Sequence, residues 1–96
     1  MPSQYRVVST SRFDRDYRAL VRRNPHAISL VEAMIEALRQ DPHNRSKRYK
    51  IKKLKGLKVG EGQWRIALGD YRIRYDIVGR EVVLYSCKLR REAYRY

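Results

Sequence analysis

Apolar and polar residues alternate through "QWRIALGDYRIRYDI", Gln63 to Ile77, and the alternation breaks only at Gly69-Asp70. A period of two predicts strands. A Gly-Asp pair between two such runs predicts a tight hairpin turn, with glycine supplying the positive φ. Setting Leu68 opposite Tyr71 pairs Ile66 with Ile73 and Arg65 with Arg74, and places Ala67 against Arg72. Trp64, Ile66, Leu68, Tyr71, Ile73, Tyr75 and Ile77 then share one face, while Arg65, Arg72 and Arg74 share the other. Like charges directly opposite each other cost on the order of 0.2–1 kcal/mol per pair. Arginines gathered on one face therefore need a reason.

The remaining pattern predicts the elements around this hairpin. "QYRVVS" is a short strand. Phe13, Tyr17, Leu20 and Val21 recur at helical spacing behind a Thr10 or Ser11 cap. A second helix follows, with Asn24 as its cap, Pro25 at its first position and Ile28, Val31, Met34, Ile35 and Leu38 as its apolar stripe; Asp41-Pro42 ends it. A strand is expected near Ile51 to Leu54, and "VGEGQ" is a glycine-rich turn. Beyond the hairpin, Gly79-Arg80 turns the chain into a last strand, "EVVLYSC", and "KLRREAYRY" closes it as a tail or helical turn. Continuing the register across that turn puts Tyr85 beside Arg74 and Cys87 beside Arg72. The order predicts an α+β fold of one domain over residues 1–96. Two N-terminal helices pack on one face of a small, mainly antiparallel sheet of four to five strands. Helices on one face leave the arginine face open.

Charge gives that open face a meaning. The 96 residues carry a formal net charge of +13, and eight cationic residues with no acidic one lie between Arg45 and Lys58. Such an excess attracts polyanions. The basic segment supplies Lys50, Lys52, Lys53 and Lys55 as RNA-binding candidates and could form a rim beside the arginine face. No apolar run approaches the roughly 20 residues that span a bilayer, and "MPSQYRVVST" lacks a signal peptide's apolar segment. With a single cysteine, Cys87, no intrachain disulfide can form. A cytoplasmic protein that does not engage membranes is expected.

The candidate chemistry narrows accordingly. His26 and His43 form no ligand pair, the acidic residues are dispersed, and the glycines of "GLKVGEG" lack phosphate-loop spacing. No metal site or cofactor is expected. Arginine binds phosphate through a planar fork and remains charged at any relevant pH. RNA can be cut without metal when its 2′-hydroxyl attacks the adjacent phosphate. The protein must then align the attack, neutralise the phosphorane charge and manage two protons. Arginines and lysines serve the charge, and Tyr85, Tyr94 or Tyr96 could stack on a base or move a proton.

The pattern "DP…KLKG…WRIALGDYRIRYDI…VVLYSCKLRREAYRY" resembles the RelE/ParE superfamily of toxins from toxin–antitoxin systems, and the resemblance spans nearly the whole chain. Its RelE branch implies a ribosome-dependent, metal-independent endoribonuclease that cuts mRNA in the ribosomal A site, and a cognate antitoxin that masks the basic surface. The arginine of the family's "DYR" strand corresponds to Arg72, and a basic residue of the preceding strand to Arg65. The basic tail corresponds to Lys88, Arg90 and Arg91, and the tail tyrosine to Tyr94. The resemblance thus implies a catalytic set of Arg65, Arg72, Lys88, Arg90 and Tyr94, with Arg91 as a further RNA contact; Arg74 and Tyr85 are RNA-binding candidates from the register of the arginine face. The chain departs from some relatives at Leu89, where they have histidine, at Ala67, where a basic residue is common, and at Lys52 and Lys53, near which they carry glutamate. Lys52, Lys53 or Tyr94 would then supply the general base. The ParE branch shares the fold and implies inhibition of DNA gyrase by binding, without RNA cleavage.

Overall fold

Residues 4–90 are described by a computed structural model. The chain forms β1 (Arg6–Ser9), α1 (Ser11–Arg23), α2 (Ala27–Gln40), β2 (Lys50–Lys53), β3 (Trp64–Leu68), β4 (Tyr71–Val78) and β5 (Glu81–Leu89). The strands make one sheet in the order β1-β5-β4-β3-β2. The last four are antiparallel neighbours, and β1 lies parallel to β5 at the edge. This is the expected α+β architecture, with two helices packed against the sheet.

The helices start where side chains can satisfy their first N–H groups. Thr10 caps α1, its hydroxyl accepting from the Phe13 N–H at 3.1 Å. The start of α2 corrects the sequence expectation. Asn24 accepts from the His26 N–H and closes a turn with Ala27, and the helix proper begins at Ala27. The buried stripe consequently runs through Ala27, Val31, Met34, Ala37 and Leu38, while Ile28 is 39% exposed. Ala27 takes the inward position in the first turn, and Ile28, about 100° further round the helix, lies at the margin of the stripe.

The hairpin has the expected register, with Leu68 opposite Tyr71, Ile66 opposite Ile73 and Arg65 opposite Arg74. Ile66, Tyr71, Ile73 and Tyr75 are buried beneath the helices, and the Tyr75 hydroxyl donates to the Pro42 carbonyl at 2.7 Å. Trp64 stacks on Tyr75 and meets His43 edge-on, but it remains half-buried at the rim of this layer. The strand expected near Ile51 to Leu54 runs from Lys50 to Lys53.

The pairing of β4 with β5 corrects a second expectation. A β-bulge inserts Tyr85: Tyr75 pairs with Leu84, whereas Arg74 pairs with Ser86. Every later residue moves by one position. Cys87 therefore pairs with Ile73 in the core rather than with Arg72, and Lys88 takes the place opposite Arg72. The bulge resolves a conflict that an unbroken register would create, in which an apolar cysteine faces outward and a lysine inward.

Candidate nucleic-acid interface

Strand pairing assembles the outer face from four strands. Across β2, β3 and β4, Lys52 lies opposite Arg65 and Arg65 opposite Arg74. In the next row on the same face, Lys50 lies opposite Ala67, Ala67 opposite Arg72, and Arg72 opposite Lys88. Two cationic rows thus cross the sheet side by side. The short Ala67 side chain stands between Lys50 and Arg72 in this row.

Each cation is held differently. The Arg72 guanidinium donates to the carbonyls of Gly69 at 2.9 Å and Tyr71 at 2.8 Å, so it folds back on its own turn. That turn is also tied to the last strand, since the Arg90 N–H donates to the Asp70 carbonyl at 2.6 Å. Arg74 is committed to the glycine-rich loop, donating to the carbonyls of Gly62 and Glu61. Lys88 reaches Asp16 of α1, with Nζ 3.1 Å from a carboxylate oxygen.

Tyr85, extruded by the bulge, lies on this face between two guanidinium groups. Arg74 stands 5.2 Å and Arg12 4.8 Å from its ring centre, and Arg12 also donates to its hydroxyl at 3.1 Å. Such cation–π contacts contribute on the order of 0.5–1 kcal/mol each at exposed sites. The loop from Lys58 to Gln63 covers the neighbouring part of the face. A buried carboxylate, Asp76, accepts from the Gly62 and Gln63 N–H groups, both at 3.0 Å. Gly62 has a φ of +73°, and a Cβ there would stand 2.9 Å from the Tyr85 ring and 3.0 Å from the Arg74 Cβ. Only glycine lets the backbone approach so closely.

The candidates named from sequence divide. Arg65, Arg72, Arg74, Lys88, Lys50, Lys52 and Tyr85 share the outer face. Lys53 does not: it pairs with Trp64, and its ammonium lies 5.5 Å over that ring on the helix side. The period-two alternation sends it away from Lys52, which removes it from the face. Lys55 is exposed in the turn after β2, and Arg90 is exposed at the end of β5. Arg91, Tyr94 and Tyr96 lie outside the described residues. Sequence reasoning missed Arg12, Asp16 and Asp76. The spacing of Arg12 and Asp16 does place them on one helix face, but nothing local says that this face borders β5. Among the described residues, no three histidine, cysteine, aspartate or glutamate side chains come together to hold a metal ion, and no helix is long and apolar enough to cross a membrane.

Two helices thus back a five-stranded sheet whose outer face is cationic. Residues 7–94 match the family described as the ParE toxin of type II toxin-antitoxin systems, parDE, and the chain belongs to that family. Among solved structures, a chain in the crystal structure of the RelB-RelE antitoxin-toxin complex from Methanococcus jannaschii has the same fold. The TM-score is 0.68 and the identity 22%, with 93% of this chain and 96% of that chain covered. No curated protein sequence matches this chain.

Proposed function

We propose that this toxin is a ribosome-dependent endoribonuclease that cuts mRNA in the A site without a metal ion, acts in the cytoplasm, and is held inactive by a cognate antitoxin covering its basic face. The observation that carries the reading is the pair of cationic rows, Lys52–Arg65–Arg74 and Lys50–Arg72–Lys88, on one open sheet face. Arg72 and Lys88, directly opposed on adjacent strands, bracket the scissile phosphate and neutralise the charge that grows on it. Arg65 adds charge one row away, Arg90 and Arg91 extend the phosphate track, and Tyr94 carries the proton or stacks on a base. Of the two lysines considered as base, only Lys52 lies on this face. Arg74 and Tyr85, already engaged with the loop and with Arg12, shape the floor of the RNA track.

The alternative reading is gyrase inhibition by binding, favoured by the description of the family that the chain matches. One assay separates the two. EDTA-treated toxin, added to programmed ribosomes in magnesium buffer, should leave mRNA cut at the A site, and Tyr94→Phe should slow cutting more than binding. Intact mRNA together with loss of DNA supercoiling by gyrase would establish the alternative.

A further inference from the structure

The cationic face has an acidic residue built into its edge, and its geometry is specific. β1 pairs only with Glu81 to Leu84 of β5. Beyond Leu84 the edge of β5 passes to α1. There Asp16 stands one helical turn after Arg12, the residue that contacts Tyr85. One Asp16 oxygen accepts from the backbone N–H of Cys87 at 3.1 Å, which satisfies a donor that has no strand partner. The other accepts from the Lys88 ammonium at 3.1 Å. The Asp16 side chain is only 13% exposed and that of Lys88 33%. The carboxylate is thus anchored to the backbone first and presents its second oxygen to the lysine.

We propose that Asp16 is a positioning residue that holds the Lys88 ammonium at the phosphate row of the cleavage site. This inference rests on the RNA-cleaving reading above. A lysine has a flexible four-carbon stem, and Lys88 stands opposite Arg72, whose charge repels it. Without a tether, the ammonium would swing outward into water. Asp16 accepts from one of the three N–H donors of the Lys88 ammonium, which leaves two for substrate oxygens. The tether places negative charge among cations that must bind a polyanion. It therefore opposes binding while it favours alignment, and those two effects can be measured separately.

Asp16→Asn separates them, because the amide oxygen can still accept from the Cys87 N–H while the charge is lost. On programmed ribosomes, kcat for A-site cleavage should fall roughly tenfold to a hundredfold, the range a misplaced catalytic group commands. KM should stay level or fall, because the face becomes more cationic. The melting temperature should hold, and Asp16→Glu should restore part of kcat. The double variant Asp16→Asn/Lys88→Met should cut no more slowly than Lys88→Met alone. An activity-independent readout is the Lys88 ammonium signal in nitrogen-15 NMR, expected to be slowed in exchange in the wild type and lost in Asp16→Asn. If the wild type cuts and Asp16→Asn cuts with the same kcat, the positioning role is wrong and the nuclease reading stands. A variant whose KM rises while its thermal stability falls, or whose effect adds to that of Lys88→Met, overturns the role equally. If the wild type cuts nothing, the nuclease reading fails and takes this role with it, even where the ammonium is ordered.

Discussion

At the scale of single residues, burial and charge make separable predictions. Cys87 is enclosed between the sheet and α1, and burial first, with the Asp16 carboxylate second, pushes its thiol up to about 12. A neutral buried thiol is a poor nucleophile. A thiol reagent at pH 8 should therefore label Cys87 only at the rate of unfolding, and labelling of the native protein within seconds would contradict this burial. The same shift has a sign for stability. Below about 9 the thiol is protonated whether folded or not. As pH rises from about 9 towards about 12, only the unfolded chain loses the proton, so this contribution to stability declines over that window. Trp64→Ala should cost less than the roughly 3–5 kcal/mol of a fully enclosed aromatic, because the ring is half-buried. Urea unfolding should show a lowered midpoint and a retained cooperative transition. Arg72→Ala should abolish growth arrest while costing about 1 kcal/mol for its lost turn contacts, and circular dichroism should report a folded protein.

At the scale of elements, alternation along β2 and the clasp under the glycine-rich loop can each be tested. Lys52 and Lys53 are neighbours with equal charge, but their side chains leave the strand on opposite faces. Lys52→Ala should flatten the dependence of RNA binding on salt by close to one released counterion, about 0.7 in log–log slope for a single strand. Lys53→Ala should leave the slope nearly unchanged and instead weaken the packing of Trp64. Equal slopes for the two variants would show that both lysines meet the RNA. The clasp predicts a contrast among glycines. Gly62→Ala forces a Cβ against Tyr85 and Arg74 at positive φ, whereas Gly60 has open space around its Cβ position. Both substitutions carry the backbone penalty, but only Gly62→Ala displaces the loop. Its melting temperature should fall further, and the Tyr85 ring resonances should shift in it alone. Asp76→Ala leaves two N–H groups without their acceptor, which costs about 1–3 kcal/mol for each that stays buried, so it should loosen the same loop.

At the scale of the whole molecule, the sequence by itself determined a great deal. The period-two alternation fixed which residues of the hairpin face the core, because a slip of one position would expose every apolar side chain at once. Helical spacing found both helices, and the order of elements indicated an open sheet with helices on one side. The clustering of Arg65, Arg72 and Arg74 was legible for the same reason, since Gly69-Asp70 set the hairpin register locally. The tertiary structure alone decided the rest. The parallel pairing of β1 with β5 joins residues more than seventy positions apart, and no local pattern encodes such a neighbour. The bulge at Tyr85 arose because core packing wanted Cys87 inward and charge wanted Lys88 outward, a conflict settled only when β4 and β5 meet. Asp16, Arg12 and Asp76 looked like ordinary dispersed charges along the chain. They joined the site because α1 closes the edge of β5 and because a loop needed an acceptor for its N–H groups. Patterns that repeat within an element are written in its own residues, whereas a contact between elements depends on which surfaces folding brings together.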